Sequence, residues 1–289
     1  MDILFATDLH GHKERYRLLG DRIRSLNPDL AILGADILPH GNMFRETIDT
    51  QKDFLNNYLS DFLKSLKCEV IIDFGNDDLR CLWMPFKEMI DDINNVHYSH
   101  MNSIVIGKYQ FIGMHYVPDY PFTRKDWCRK DNADWIVDPI QLGPPFLEFK
   151  DGPETIDDLE AYYNYENSIE DILNNHNEFH KPMDNKKQVY LFHSPPRMAG
   201  LDVCADKRQV GSRSITQFIL DNNPYCVLSG HIHESPDMTG IFMNKIGDTI
   251  CIQPGQRYQD DEANYVIMNL DDIERTIERH CVQSGQGGE

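Results

Sequence analysis

The sequence contains no apolar run that approaches the ~20 residues a membrane-spanning helix requires. It also contains no cluster of lysine and arginine, and its 28 basic residues face 47 acidic ones, which gives a formal net charge of -19. A chain of this charge repels polyanions unless basic residues are concentrated locally. These absences argue against a membrane span and against non-specific nucleic-acid binding, and the mean hydropathy of -0.51 is typical of a soluble protein.

Paired cysteines are absent as well. The seven cysteines are widely spaced and include no Cys-x-x-Cys pair, so the sequence indicates neither a disulfide framework nor a thiolate zinc site. The first residues carry an acid at Asp2 and no basic stretch before a short apolar run, which predicts a buried strand rather than a signal peptide. We therefore expect a cytoplasmic protein.

Short apolar runs alternate with amphipathic stretches in the first quarter of the chain. Residues 3–6, 30–33 and 70–74 predict strands, whereas residues 12–26 and 44–66 show helical spacing. Strands that alternate with helices favour a parallel sheet. This part of the sequence therefore indicates an α/β fold.

The stretch from Tyr116 to Lys187 has a different character, because it is rich in proline, acidic and aromatic residues. We expect it to form an insertion or lid-like region, with an acidic helix over residues 155–179 in its middle. The surrounding residues 1–282 are expected to form one domain.

Elements typical of a core resume after this stretch. In chain order they are a strand over 189–192, a helix over 214–220, strands over 225–228, 240–243 and 249–252, and a closing hairpin of 265–270 and 276–280. Residues 283–289, with the sequence QSGQGGE, predict a flexible tail.

Five short blocks carry side chains that bind metals, and each block follows a predicted strand. The blocks are Thr7-Asp8-Leu9-His10-Gly11-His12, Gly34-Ala35-Asp36, Phe74-Gly75-Asn76-Asp77-Asp78, Phe192-His193-Ser194-Pro195-Pro196 and Ser229-Gly230-His231-Ile232-His233-Glu234. Carboxylate, amide and imidazole groups suit manganese, iron or zinc, and open α/β sheets bind ligands at the carboxyl ends of their strands. Each block alone is compatible with an ordinary turn, so the indication comes from the five together.

Taken together, the blocks read Asp-x-His, Gly-x-Asp, Gly-Asn-x-Asp, His and Gly-His-x-His. This order resembles the signature of the calcineurin-like metallophosphoesterase superfamily. The resemblance extends to Gln253-Pro254-Gly255, and Gly211-Ser212-Arg213-Ser214 before a helix is similar to a small bacterial and archaeal branch. It implies an α/β fold, a four-layer α-β-β-α sandwich of two mixed β-sheets. The stretch from Tyr116 to Lys187 lies outside the resemblance.

The resemblance also implies a pair of divalent metal ions, with manganese, iron and zinc as the candidates. Their seven ligands, by similarity, would be Asp8, His10 and His233 for one ion, Asn76, His193 and His231 for the other, and Asp36 between the two. Two such ions can clamp a phosphoryl group and ionise a water molecule near neutral pH. The implied activity is hydrolysis of a phosphodiester or phosphomonoester by metal-activated hydroxide. The implied partner of the protein is a small phosphate ester. By the same resemblance, Asp36, Asn76 and His193 would lie at the catalytic centre.

The sequence departs from the family pattern at Asp77, where many members carry a histidine that protonates the leaving group or steadies the transition state. An aspartate, with a reference pKa near ~3.9, is a poor general acid at neutral pH. Either the substrate has a leaving group that needs little protonation, such as an aryl ester, or another residue supplies the proton. The candidates for that role are His12, His40 and His115.

Two arginines next to the metal-binding blocks, Arg80 and Arg197, are candidates for binding phosphate oxygens. Asp77 and His12 are further candidates for contact with the substrate or for support of the ligands. The missing histidine and the small size of the chain favour diesters slightly over monoesters.

Other functions compete with this interpretation. The main alternative is a metal-binding interaction scaffold of the same fold with weak catalysis. Against it, a residue that can bind a metal stands at all seven expected ligand positions. A nuclease acting on DNA ends would need a basic groove, which the net charge argues against. The arginine-rich phosphate grip of the protein serine/threonine phosphatases is not apparent. The choice of metal and the oligomeric state are left open.

Overall fold

The computed structural model describes residues 1–40, 44–136, 141–149, 152–175, 181–257 and 261–284. Within these residues the strands, in chain order, are β1 (Asp2–Ala6), β2 (Leu30–Leu33), β3 (Glu69–Ile72), β4 (Val96–His97), β5 (Ser103–Ile106), β6 (Tyr109–Met114), β7 (Val117–Pro118), β8 (Cys128–Arg129), β9 (Phe146–Phe149), β10 (Gly152–Thr155), β11 (Lys187–Phe192), β12 (Cys226–Leu228), β13 (Met243–Ile246), β14 (Thr249–Ile252), β15 (Glu262–Asn269) and β16 (Glu278–Gln283).

The α-helices in the same residues are α1 (Lys13–Leu26), α2 (Phe44–Phe54), α3 (Ser60–Lys64), α4 (Trp83–Asp91), α5 (Leu159–Tyr165), α6 (Ile169–Asn174), α7 (Arg213–Asn222), α8 (Ser235–Thr239) and α9 (Ile273–Thr276). A π-helical turn at Leu55–Leu59 joins α2 to α3, and a 3-10 turn at Arg80–Leu82 leads into α4. Among the described helices, none is both long enough and apolar enough to cross a bilayer.

Two six-stranded sheets form the centre of the molecule. The first has the strand order β16-β15-β1-β2-β3-β4, and the second has the order β13-β14-β12-β11-β6-β5. In the first sheet β1 to β4 are parallel, whereas β15 and β16 pair antiparallel. In the second, β6, β11, β12 and β14 are parallel, and the edge strands β5 and β13 are antiparallel. Both sheets are therefore mixed.

Alternate residues of the central strands pack on opposite faces of each sheet, as the pleat requires. In β1, Ile3 and Phe5 pack between the two sheets with residues such as Phe111 of β6. Leu4 and Ala6 point the other way, into an apolar cluster that includes residues of α1, α2, α3 and α4. Helices therefore cover the outer face of the first sheet.

The outer face of the second sheet is covered by α6 and α7. Ile112 of β6 and Tyr190 of β11 pack there with Ile172 of α6 and Phe218 of α7. The layers follow one another as helices, first sheet, second sheet and helices. This order confirms the four-layer α-β-β-α sandwich that the resemblance implied.

The predicted core strands correspond to β1, β2, β3, β11, β12 and β14, and the closing hairpin corresponds to β15 and β16. The strand predicted over 240–243 is wrong. The helix α8 ends at Thr239 and is capped by Gly240, which adopts a left-handed φ of 74°, and the strand begins only at Met243. A glycine in this conformation is a common helix end.

The acidic helix predicted over 155–179 is also wrong, because two short helices occupy this part of the chain. The link between α5 and α6 is extended at Glu166. Ser168 then starts α6 with a capping box, in which its hydroxyl accepts from the Asp171 amide and the Asp171 carboxylate accepts from the Ser168 amide, both at 3.0 Å. Such a box marks a helix start.

Two sequence-based predictions extend beyond the described part of the chain. The end of the predicted acidic helix, residues 176–179, lies outside the described residues. The same holds for residues 285–289 of the predicted tail. The tail prediction began at Gln283, which instead closes β16 by pairing with Glu262 of β15.

We propose that the segment from Tyr116 to Lys187 belongs to the same domain as the rest of the chain. Asp131 of this segment is buried at the N-terminus of α7, where its carboxylate accepts hydrogen bonds from the Arg213 amide, at 2.8 Å, and from the Ser212 hydroxyl. Unpaired amides and the helix dipole stabilise an acidic side chain at this position. Because α6 also packs on the second sheet, the segment has two separate attachments to the core.

The variant Asp131→Ala should lower the free energy of unfolding by about 2 kcal/mol, because it leaves buried donors without an acceptor. The variant Asp134→Ala changes an exposed carboxylate of the same segment and should be neutral. Chemical denaturation measures both variants, and the wild type should unfold in a single transition. Equal stability of the two variants, or a separate transition for the segment, would contradict the one-domain proposal.

Candidate metal centre

All seven candidate ligands lie beyond the carboxyl ends of central strands. In chain order, Asp8 and His10 follow β1, Asp36 follows β2, Asn76 follows β3, His193 follows β11, and His231 and His233 follow β12. The first three strands belong to one sheet and the last two to the other. The candidate ligands from both sheets therefore meet at a shared edge of the sandwich.

The first group of ligands consists of Asp8, His10, Asp36 and His233, whose potential ligand atoms all lie within 4.8 Å of one another. The Nε2 atoms of His10 and His233 face each other at 3.0 Å, and His233 Nε2 lies 3.7 Å from Asp8 Oδ1. Asp8 Oδ2 is buried and has no hydrogen-bond partner among the described residues. Two imidazoles and two carboxylates converging in this way fit a divalent cation.

The second group consists of Asp36, His193 and His231, again within 4.8 Å. His193 Nε2 lies 3.0 Å from Asp36 Oδ2 and 2.9 Å from Asn76 Oδ1, so the amide oxygen of Asn76 joins this group. Asp36 belongs to both groups, as a ligand shared by two ions would. The grouping is the one that the resemblance implied, and the binding of metals by these residues stays a prediction.

Four of the candidate ligands adopt left-handed backbone conformations. The φ angle is 57° at Asp8, 47° at His10, 57° at Asp36 and 68° at His231. Such conformations are uncommon outside glycine, and strained examples cost roughly 1–3 kcal/mol each. Hydrogen bonds between neighbouring loops hold them in place, such as the one from His10 N to Asp36 O at 2.9 Å. The fold thus directs the side chains inward at the expense of local backbone strain.

Asp78, the last residue of the third block, ties two ligand loops together. Its buried carboxylate accepts hydrogen bonds from the Ile37 and Leu38 amides after β2, at 3.0 and 2.7 Å, and from the Gly75 amide after β3, at 2.8 Å. Several N–H donors aimed at one carboxylate form strong hydrogen bonds. Asp78 therefore fixes the loop after β2 relative to the loop after β3.

Gln51 of α2 supports the same two loops from the helical layer. Its fully buried amide group donates to Pro39 O at 3.1 Å and to Asp77 O at 2.9 Å, and it accepts from Leu79 N at 2.9 Å. The sequence analysis assigned no role to Gln51 because a lone glutamine in an amphipathic helix gives no signal of this kind.

Burial determines the protonation of the ligands. It lowers the pKa of His10, His193 and His231, so these imidazoles are neutral, which is the form that binds metals. Burial, together with the negative charges of two neighbouring aspartates, raises the pKa of Asp36. A cation placed between these carboxylates would offset their repulsion. The donor set therefore fits a cation chemically as well as geometrically.

Asp77 stands beside the first group of ligands. Its Oδ2 atom lies 3.2 Å from His40 Nε2 and 3.8 Å from His10 Nδ1, and its amide donates to Asp36 Oδ1 at 2.8 Å. Although burial raises the pKa of Asp77, its hydrogen bond with His40 and the charge of His40 lower that pKa further than burial raises it. An ionised Asp77 accepts hydrogen bonds and cannot donate a proton, which agrees with its expected weakness as a general acid.

The three histidines considered as proton donors lie in different surroundings. His40 contacts Asp77, as described above. Its Nε2 atom also lies 2.9 Å from Nδ1 of the candidate ligand His10. His12 pairs with Asp261 at 3.2 Å, whereas His115 lies 3.3 Å from the buried carboxylate of Asp73. Of the three, the structure places His40 beside Asp77.

The two arginines singled out from the sequence make contacts of other kinds. Arg80 donates from Nη1 to Asp126 O at 3.4 Å. Arg197 forms a backbone hydrogen bond to Ser212 O at 3.0 Å, and it is partly exposed. Their contact with phosphate oxygens stays a prediction.

The segment outside the resemblance supplies residues that the sequence analysis missed. Arg124 donates from Nη1 to Asp77 O at 2.8 Å and from Nε to Glu148 Oε1 at 3.0 Å. The ring centroid of Tyr120 lies 5.9 Å from that of His231. No motif or spacing in the sequence connects these residues with the metal-binding blocks.

Two glycines of the sequence blocks allow the loops to approach the ligands closely. A Cβ atom on Gly75 would lie 2.3 Å from Asp36 Oδ1, and one on Gly230 would lie 2.6 Å from Asp8 Oδ2. Both distances are far shorter than the ~3.5–4.0 Å of favourable non-bonded contact. Each glycine is therefore required because a ligand carboxylate packs against its Cα atom.

The variant Gly75→Ala should displace the Asp36 carboxylate and weaken manganese binding by about 10- to 100-fold, the range seen when the support of a ligand is disturbed. Isothermal titration calorimetry measures the affinity. Gly247→Ala is the matched control, because Gly247 has a φ of 58° and open space around it. The control should lose about 1 kcal/mol of stability but keep its affinity. Unchanged metal affinity in Gly75→Ala would refute the assigned role.

The fold and a carboxylate shared by two groups of ligands define the class of metal-dependent phosphoesterases. Residues 1–235 match the calcineurin-like phosphoesterase family, and the chain belongs to this family. The family is dependent on a dinuclear metal centre and acts on small phosphate esters. No curated protein matches the sequence.

Solved structures show the same architecture. One shares 18% sequence identity with a TM-score of 0.60 and covers 98% of this chain and 98% of its own. Another, TT1561 of Thermus thermophilus, shares 15% identity with a TM-score of 0.57, covering 96% of this chain and 97% of that one. At such identities the likeness shows the fold alone.

Proposed function

We propose that this protein hydrolyses phosphodiesters or phosphomonoesters with two divalent cations bound at the shared edge of its sheets. The observation that supports this most directly is the membership of Asp36 in both ligand groups. A carboxylate shared by two cations brings them close enough to act on a single phosphoryl group. Manganese, iron and zinc all suit the donor set.

The residues of the chain have distinct tasks in this proposal. The first cation would be held by Asp8, His10 and His233, the second by Asn76, His193 and His231, and both by Asp36. When bound, the cations supply positive charge to the phosphoryl group and ionise a water molecule near neutral pH. Asp36, as the member common to both groups, would hold the two cations together. His193 Nε2 lies 3.0 Å from Asp36 Oδ2 and 2.9 Å from Asn76 Oδ1, so Asn76 is placed beside Asp36 through His193.

We further propose that Asp77 orients its neighbours and does not protonate the leaving group. Its carboxylate contacts His40, and its amide holds Asp36 in position. The leaving group of an aryl ester is acidic, so it departs as an anion without being protonated. Aryl esters are therefore the substrates that this site is best suited to cleave.

The variant Asp77→Ala should keep measurable hydrolysis of p-nitrophenyl phosphate, because loss of a true general acid costs about 10²–10⁴-fold and this leaving group needs none. Steady-state kinetics is combined with measurement of bound metal. Asp77→Asn is the matched variant, since it preserves the shape of the side chain. Complete loss of activity in Asp77→Ala with both metals still bound would show that Asp77 takes part in the chemistry.

Manganese-loaded protein should hydrolyse bis(p-nitrophenyl) phosphate, and Asp36→Ala should lower the rate by at least about 10²–10³-fold because charge stabilisation of the phosphoryl group is lost. Asp184→Ala, at an exposed carboxylate, controls for the loss of one negative charge. A panel of monoesters, diesters and nucleotides, with each metal supplied separately, then defines the preferred ester.

The competing function is a metal-binding scaffold with little catalysis. It would be supported if the wild type bound two cations per chain and yet hydrolysed no member of this panel. The hydrolase proposal requires turnover that depends both on added metal and on Asp36.

A further inference from the structure

Residues 120–124, here called the rim segment, extend from the second ligand group to Asp77. At one end, the ring centroid of Tyr120 lies 5.9 Å from that of His231. At the other end, Arg124 Nη1 donates to Asp77 O at 2.8 Å. The rim segment therefore contacts the candidate ligand His231 at one end and the backbone of Asp77 at the other.

Polar contacts fix the rim segment in this position. The Tyr120 hydroxyl donates to Arg124 O at 3.1 Å, which joins its two ends. Arg124 is anchored from Nε to the buried carboxylate of Glu148 at 3.0 Å. The next residue, Lys125, is fully buried and pairs with Asp119 at 2.7 Å. These bonds position the rim segment without any bound ligand.

The middle of the rim segment presents apolar side chains to solvent. Phe122 is 62% exposed, and its ring centroid lies 5.6 Å from that of Tyr120. Leu142, which is 65% exposed, is joined to the rim segment by its backbone amide, which donates to Pro121 O at 2.8 Å. Phe122 is therefore an exposed apolar ring in contact with the ring that meets His231, and an apolar part of a ligand that covered it would be stabilised by removing this surface from water.

We infer that the rim segment is a substrate subsite that binds an aromatic ring in the organic part of the ester, with Phe122 as the residue that determines this specificity. The inference rests on the proposed function, because phosphate bound at the metal centre places the rest of the ester at its edge. An aromatic ring stacks on Phe122 and Tyr120, and Leu142 packs against its border. Aryl groups and nucleobases share this chemistry, since each offers a flat π-face.

Binding of phosphonates tests the subsite separately from turnover. Manganese-loaded protein should bind benzylphosphonate about five- to tenfold more tightly than ethylphosphonate, as expected for one aromatic pair. Phe122→Ala should abolish this preference, Leu142→Ala should reduce it, and Phe122→Tyr should keep it. Tyr165→Ala is the matched control, because Tyr165 on α5 is 89% exposed and should leave the preference intact. The same preference in wild type and Phe122→Ala, for this pair and for the nucleotide pair described next, would overturn the inference.

A second pair of ligands tests whether the ring that binds at Phe122 is a nucleobase or a phenyl group. Adenosine 5′-monophosphate and ribose 5-phosphate differ by a nucleobase, as the phosphonates differ by a phenyl ring. Dependence on Phe122 in either pair supports the subsite and identifies the ring that it accepts. Absence of such dependence in both pairs overturns it.

Hydrolysis of benzyl and ethyl phosphate is measured in parallel, since both esters have alkyl leaving oxygens and differ only in the ring. A ring preference in binding without turnover of any ester would refute the proposed function and support the subsite. Turnover of both esters with the same ratio of kcat/KM in wild type and Phe122→Ala would refute the subsite and support the function.

Discussion

The carboxylate of Asp36 lies buried between two groups of imidazole nitrogens, and much of the surrounding structure serves to keep it there. A buried anion beside other carboxylates is unfavourable unless it is hydrogen-bonded or paired with a cation. The Asp77 amide donates one hydrogen bond to this carboxylate. Asp78 joins the loop after β2, which contains Asp36, to the loop after β3. A divalent cation bound beside Asp36 would offset the remaining imbalance.

The arrangement of the sheets explains how ligands from distant parts of the chain reach Asp36. Parallel strands end on the same side, so the loops after β1, β2, β3, β11 and β12 gather at one edge of the sandwich. Left-handed turns at four ligands then aim the side chains inward, and glycines allow the loops to pack closely. The strain of these turns is offset by the hydrogen bonds between loops and by the apolar layers on either side.

The segment from Tyr116 to Lys187 makes contacts with the candidate metal centre that the family motif does not describe. Its inner part is joined to the core by Asp131 and α6, and its rim segment contacts the site. Arg124 contacts the backbone of Asp77, where many family members carry a histidine instead. The family motif describes only the candidate ligands, whereas this segment supplies Tyr120 and Arg124, which contact His231 and Asp77 from outside the motif.

The sequence by itself determined the βα alternation, the layered architecture through the family resemblance, and the identity of the seven candidate ligands. These features are carried by local periodicity and by short blocks whose residue types have few alternative uses. It failed where a local signal overrode composition, as at Ser168, whose capping box starts a new helix, and at Gly240, which ends one. Only the tertiary structure gave the distances within each group of candidate ligands and decided which residues stand beside them. His10 and His233 are 223 residues apart in the chain, yet their ring nitrogens are 3.0 Å apart. Such contacts are set by the burial of apolar faces across the whole fold, and no stretch of sequence around either partner encodes them.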